Sequence, residues 1–472
     1  MPLMQPPSPD PQPEPTAGSP RPAAGRRAVL SAVFMLVFVA SYFLARLPFL
    51  SDPLYCEEGM FAAIVVNQPP NPDYCLVARI DGQEHYERLA HPAPLYETMK
   101  LAAKLWPPVG PESALDDARA TPRLRFFFCL FQLVAWLGVA FLALLVTRAS
   151  GVVVRIATMV IVAAAAASPI AVVSSTELQV DGSVGALMVG VMAAATCLAA
   201  RRVLPVSVTY ATLFIAAAVL GLGKQEWSMA LVAALGLWFA ALFALRKWTG
   251  RTIRLHVVAA TAIFVGLLLG NLLSYMYDPV DWLGGIGVMR RIASHSTIAT
   301  GTGVSHWLEV TAERLNDLAT IFALGVCLLI LLVRHIKTVE PYALLGLFLA
   351  GGLFGGYFIS SWASYPRYFA PSLLAMAFAL LAVLPANADR VAQRVLLATA
   401  MVLVLHSAVF IADRIGSTPR HVHLPVSVSR ECVPLLQAGD VWNKPDIDFV
   451  ARSLGPEGAK AHLARYGKTL CE

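Results

Sequence analysis

The chain has 472 residues, of which 57% are hydrophobic and only 14% charged, with a net charge of +6. Together with a mean hydropathy of +0.64, this excludes a disordered chain, a small disulfide scaffold and an ordinary water-soluble enzyme. The excess positive charge is no nucleic-acid signal, because the basic residues sit mostly in short links between apolar runs.

Residues 1–27 are rich in Pro, Ser and Ala and cannot bury enough apolar surface to fold, so they are expected to form a disordered cytoplasmic tail. Arg26 and Arg27 then precede the first of eleven apolar runs, at 28–45, 126–147, 152–173, 183–200, 205–223, 227–245, 256–277, 317–333, 341–359, 369–385 and 395–412. Each is long enough to cross ~30 Å of hydrocarbon as a helix, some with tilt or snorkelling ends. An isolated strand would leave its backbone unpaired in lipid. The expected fold is therefore all-α and polytopic, with about eleven transmembrane helices over 28–412 and a small extracytoplasmic tail at 413–472.

Short-loop basic residues set the expected orientation. An N-terminus in the cytoplasm puts Arg148, Arg155, Arg201, Arg202, Arg246, Lys247, Arg251, Arg254, Arg334, Lys337, Arg390 and Arg394 inside. The opposite short loops carry Lys224, Arg290, Arg291, Arg314 and Arg367. Acids follow the reverse pattern: between 28 and 412 only Glu340 and Asp389 fall inside and nineteen fall outside, so general-base chemistry is housed on the outer face. Cys129, Cys197 and Cys327 lie within spans as small apolar groups, whereas Cys56, Cys75, Cys432 and Cys471 fall in outer segments. Cys56–Cys75 with Cys432–Cys471 is the favoured of three pairings, against four unpaired thiols.

Two outer segments exceed mere connectors, 46–125 and 278–316. Within the first, residues 93–106 place Leu95, Met99, Ala102, Ala103 and Trp106 near one helical face, the pattern of a helix in the membrane interface. The soluble-enzyme motifs are missing: Gly221 to Gln225 lacks phosphate-loop spacing, and no HExxH motif or CxxC pair occurs. His421 and His423 read as solvated surface residues. Gly351, Gly352, Gly355 and Gly356 have the small-residue spacing of helix packing.

The most informative pair is Glu57-Glu58, a few residues past the first span. Two adjacent carboxylates at a bilayer edge repel and are costly to desolvate, so either could act as a general base on an attacking hydroxyl. The alternative is a solvated helix N-terminus meeting the positive end of its dipole. Glu57-Glu58-Gly59-Met60-Phe61-Ala62 resembles the acidic pair in the first outer loop of the GT-C glycosyltransferases, of the protein O-mannosyltransferase and aminoarabinose-transferase type. The stretch from Ile80 to His91-Pro92-Ala93-Pro94-Leu95-Tyr96, then Thr121-Pro122-Arg123-Leu124, Ser168-Pro169 with Asp181, and Tyr365-Pro366-Arg367-Tyr368 resemble that family's later motifs in order. Two departures stand out: the first acid is Glu57 where the family usually has Asp, and its Pro-Pro pair is split by Ala93.

The resemblance implies transfer of a sugar, with inversion, from a polyprenyl-phosphate donor to a glycan, lipid or protein acceptor on the extracytoplasmic face of the cell membrane. It implies Glu57 or Glu58 as base, and Arg88, Lys224, Arg290, Arg291 and Arg367 as cations for the donor phosphate. His91, Tyr96 and Asp181 would contact substrate. No cofactor is implied with certainty; a divalent metal would have Glu57, Glu58 and Asp181 as its candidate ligands. Two other classes compete. A transporter or flippase of a lipid-linked or anionic substrate would want ionisable groups inside the spans, where only His406 is evident, and repeated halves. A non-catalytic envelope assembly factor would make the acidic pair structural.

Overall fold

The computed structural model describes residues 22–50, 75–80, 83–88, 101, 105, 120–177, 181–223, 225–247, 250–277, 304–359, 366–385 and 387–416. All eleven apolar runs are helical. In chain order the helices are α1 (Pro22–Leu44), α2 (Leu47–Leu50), α3 (Ala120–Val146), α4 (Val152–Ala166), α5 (Pro169–Thr176), α6 (Ala186–Ala200), α7 (Val206–Gly223), α8 (Gln225–Ala244), α9 (Gly250–Tyr277), α10 (Val304–His335), α11 (Pro341–Ile359), α12 (Ala370–Val383) and α13 (Arg390–Gly416). Among the described residues, seven helices are long and apolar enough to cross a membrane alone, and α4 with α5 forms an eighth span bent by 43°. Parts of α7, α11 and α12 are shorter apolar helices. The protein is an all-α polytopic membrane protein.

The helix α12 occupies the middle of the bundle. It touches α11, α6, α10 and α3, and every one of its residues except Ala382 is buried. A helix apolar on all sides has no face to give to water, which fits a central position. The outermost helices show the complementary pattern. Only 28% of the span in α13 is buried, against 61% of the span in α6, and α9 exposes Phe264, Leu268 and Leu272. These exposed apolar faces are where lipid would lie.

Close backbone approach joins α7 to α9. A Cβ on Gly270 would fall 2.1 Å from the Ala218 carbonyl oxygen, so only glycine fits there. In α11 the expected glycine packing is narrower than its spacing suggests. Gly352 abuts Ala230 and Ala234 of α8, while Gly351 and Gly355 meet nothing within 4 Å.

One end of the bundle gathers the basic links. Arg202 pairs with Glu340 at 2.7 Å, Lys247 Nζ donates to the Val339 carbonyl at 2.6 Å, and Arg334 pairs with Asp389. Arg201 donates to the carbonyls of Leu381 and Leu384. The C-termini of α6 and α8 both close with an arginine in the left-handed region, Arg202 at φ 57° and Arg246 at φ 52°. In each, the residue after the arginine bonds five residues back, Val203 N to Leu198 O and Lys247 N to Leu242 O, both at 2.9 Å. Glycine is the usual occupant of such a position; here a cation fills it beside the negative end of the helix dipole.

The first large loop also holds a two-stranded antiparallel hairpin, β1 (Cys75–Ile80) and β2 (Gln83–Arg88), with Cys75 opposite Arg88. The register pairs Ile80 with Gln83, and the intervening sequence Asp81-Gly82 is a dipeptide that favours a two-residue hairpin, a signal that a reading for helices passes over. Of the interfacial helix expected at 93–106, only Leu101 and Leu105 are described, both helical and exposed.

Candidate functional site

Opposite the basic end, the C-terminus of α1 meets the broken span α4–α5. The break lies at Ala167-Ser168-Pro169, where proline supplies no N–H and frees the last carbonyls of α4. Within a membrane each of these must find a donor. Ala167 N serves Ala163 and Ala164, Ser407 Oγ of α13 serves Ala164 at 2.9 Å, and Ser168 Oγ serves Ala165 at 2.7 Å. The Ala166 carbonyl accepts from Arg46 Nη2 at 3.0 Å.

Arg46 is fully buried and is the hub of this region. Its Nε donates to Ser175 Oγ at 2.7 Å, Nη1 to the Tyr42 carbonyl at 2.9 Å, and Nη2 to Gln132 Oε1 at 3.1 Å and the Ala171 carbonyl at 3.0 Å. The guanidinium carbon lies 3.4 Å from the centre of the Tyr42 ring. One side chain thus ties α1, α3, α4 and α5 together.

Around this hub the turns converge. Gln132 Nε2 donates to Ser174 Oγ at 2.9 Å, and Arg125 Nη1 donates to the Thr176 carbonyl at 2.7 Å, at the negative end of α5. Glu177 follows, 8% exposed. The π-turn Asp181–Gly185, kinked at Ser183 where φ −115° and ψ −106° leave the helical region, leads into α6, with Gly182 so close to α5 that a Cβ would fall 1.6 Å from the Ser174 carbonyl oxygen. The 3-10 turn Pro366–Phe369 precedes α12 and packs on both α5 and the π-turn. Arg414 of α13, also buried, donates to the Pro48 carbonyl at 3.1 Å and lies 5.0 Å from the Phe49 ring.

Two sequence-predicted site positions therefore sit on neighbouring turns: Asp181 opens the π-turn and Arg367 lies in the 3-10 turn. Arg88 ends β2, opposite Cys75. Glu57, Glu58, His91, Tyr96, Lys224, Arg290, Arg291, Cys56, Cys432 and Cys471 lie outside the described residues, as does the tail beyond 416. Cys129, Cys197 and Cys327 are buried free thiols. No group of three His, Cys, Asp or Glu suited to a metal forms among the described residues, and Glu57 and Glu58 are not among them.

Reading the sequence missed Arg46, Gln132 and the Ser174-Ser175-Thr176 run as a constellation. The available signal was a cation and an amide inside apolar runs, which in a membrane demand partners. It also named His406 alone as an ionisable group inside the spans. The structure adds His256, 4% exposed and edge-on to Trp238 and Tyr342, and Arg46 at the end of the first span. Arg46 falls within the apolar span Ser31–Leu50 and His256 within Ile253–Leu273.

The backbone as a whole matches a known architecture. The crystal structure of ArnT from Cupriavidus metallidurans bound to undecaprenyl phosphate superposes with a TM-score of 0.52, over 92% of this chain and 77% of that one, at 16% identity. The fold is GT-C-like. No family model matches the sequence, and no curated protein matches it. In this GT-C-like frame, α1 leads into the first large loop, and the broken span, the π-turn and the 3-10 turn line one end of the bundle.

Proposed function

We propose that the protein is a membrane glycosyltransferase that takes a sugar from a polyprenyl-phosphate carrier and passes it, with inversion, to an extracytoplasmic acceptor. The observation that carries this reading is the likeness in fold to ArnT, a protein crystallised with undecaprenyl phosphate, joined to the acidic pair Glu57-Glu58 eleven residues after the Arg46 hub. In this reading the basic end faces the cytoplasm of the cell membrane, as loop charge requires. The hub end faces outward, and the N-terminus is cytoplasmic and the C-terminus extracytoplasmic.

The reaction is a single displacement. The acceptor hydroxyl oxygen attacks the anomeric carbon, Glu57 or Glu58 takes its proton, and the bond to the phosphate oxygen breaks with its electrons leaving on phosphate. Phosphate is already a good leaving group, so no general acid is required, unlike the two-carboxylate hydrolases. The developing charge needs preorganised cations. Arg88, Lys224, Arg290, Arg291 and Arg367 are assigned to it, and His91, Tyr96 and Asp181 to the sugar or acceptor. A divalent ion, if one binds, would draw on Glu57, Glu58 and Asp181; no step is routed through it.

The test is mass spectrometry of envelope glycans from cells lacking the gene and cells complemented with wild type, Glu57→Gln or Glu58→Gln. One glutamine variant should abolish transfer, by about 10²-fold or more for loss of a general base. Full transfer by both variants refutes the assignment and favours a structural role for the acidic pair.

A further inference from the structure

Arg46 has a property that holding the helices together does not require. Each of its acceptors is neutral: the Ser175 hydroxyl, the Gln132 amide oxygen and the carbonyls of Tyr42, Ala166 and Ala171. Among the described residues no carboxylate forms an ion pair with it, although it is 0% exposed. Burying an ion without a counter-charge is expensive, and a neutral donor could have served the carbonyls of the break. The cost is met partly by the Tyr42 ring and partly by the five hydrogen bonds. A positive charge nevertheless remains, buried where screening by salt is weak.

We propose that Arg46 is a specificity-determining residue whose unneutralised charge gives this end of the bundle its preference for a lipid-borne phosphate over the uncharged lipid alcohol. It would act through its field, because Nε and Nη2 are taken up by protein acceptors and Nη1 is held by the Tyr42 carbonyl. The proposal rests on the polyprenyl-phosphate reading above. It assigns Arg46 a role separate from the cations that would touch phosphate.

The structure supplies a substitution that neutralises the charge while leaving Arg46 and its acceptors in place. Gln132 Oε1 already accepts from Arg46 Nη2 at 3.1 Å, so Gln132→Glu places a carboxylate of the same shape against the guanidinium. The Ser174 hydroxyl, now accepting from Gln132 Nε2 at 2.9 Å, can turn from the Ala171 carbonyl to donate to the new oxygen, while the long 3.4 Å bond from Gln132 Nε2 to the Gly182 carbonyl is lost. Arg46→Met removes the charge together with its hydrogen bonds, and Arg46→Lys keeps the charge without the planar fork.

Full-length protein in nanodiscs is titrated with undecaprenyl phosphate and, separately, with undecaprenol. Wild type should bind the phosphate more tightly. Gln132→Glu should weaken phosphate binding about three- to tenfold, the scale of one buried unit charge acting through an effective dielectric of about 20, and leave undecaprenol binding unchanged. Arg46→Lys should keep most of the preference. If Gln132→Glu keeps the wild-type preference, or weakens both lipids equally, Arg46 is a structural staple and the proposal is overturned while the donor reading stands. If wild type does not distinguish the two lipids, the donor reading fails and this proposal fails with it. Should Arg46→Met not fold, Gln132→Glu decides the matter alone.

Discussion

Gly182→Ala is the sharpest test of how the π-turn is held. In the native backbone a Cβ at 182 would lie 1.6 Å from the Ser174 carbonyl oxygen and 2.3 Å from its carbon. Ordinary contact begins at 3.4 Å, so α5 and the π-turn must separate by about 1.8 Å. Neither partner is a flexible side-chain tip; both are backbone, on elements fixed by the hydrogen bonds of Arg46, Gln132 and Arg125. Overpacking a well-filled interior usually costs about 1–3 kcal/mol, and a backbone-on-backbone clash belongs at or beyond the top of that range. Gly236→Ala and Gly325→Ala are the matched controls, since a Cβ at either helical position meets nothing within 4 Å. They should be neutral or stabilising by up to about 1 kcal/mol, because alanine favours a helix interior over glycine. Thermal unfolding of the three purified variants, followed by intrinsic tryptophan fluorescence, reads the difference. A Gly182→Ala protein that melts with wild type, or with the two controls, would refute the close approach and the turn geometry built on it.

Two further outcomes follow from the structure. Gly270→Ala should split the α7–α9 pair and lower the melting temperature as Gly182→Ala does, because its Cβ would fall 2.1 Å from the Ala218 carbonyl oxygen; unchanged melting would contradict that contact. Asp389 caps α13, accepting from Ala392 N at 2.8 Å, and that bond, followed by Arg334, holds its carboxyl below the usual carboxylate range. A folded-state value below the unfolded one contributes stability above the ordinary carboxylate value of about 3.9, which is lost as pH falls through the folded value. Asp389→Asn retains a cap but no charge, so its melting temperature should trail wild type at pH 7 and converge on it toward pH 3. A gap that stays constant over that range would show that the carboxylate charge contributes nothing.

Hydropathy by itself determined the helical spans, because lipid permits no other arrangement for a run of some twenty apolar residues. Each of the eleven runs is helical, even 369–385, whose helix α12 is short and central, and 152–173, which is split into α4 and α5. The charge pattern likewise foretold that Arg202, Lys247, Arg334 and Asp389 would share one end with Glu340. Individual motifs placed Asp181 and Arg367 in the linking segments, yet only packing put their turns side by side against α5.

Tertiary structure alone decided the hub. Arg46, Gln132 and Ser175 are separated by 86 and 43 positions along the chain, and no local period connects them. Their meeting depends on a proline break whose freed carbonyls need donors, and those donors come from helices distant in sequence. The run 152–173 looks continuous in hydropathy although its helix bends by 43°, because the alanines that surround the break are as apolar as a straight span would need. The Asp81-Gly82 hairpin was legible from its turn residues but is invisible to a search for twenty-residue runs. Apolar length is a local property and can be read residue by residue. The satisfaction of buried polar groups is a property of the assembled bundle, which only the fold reveals.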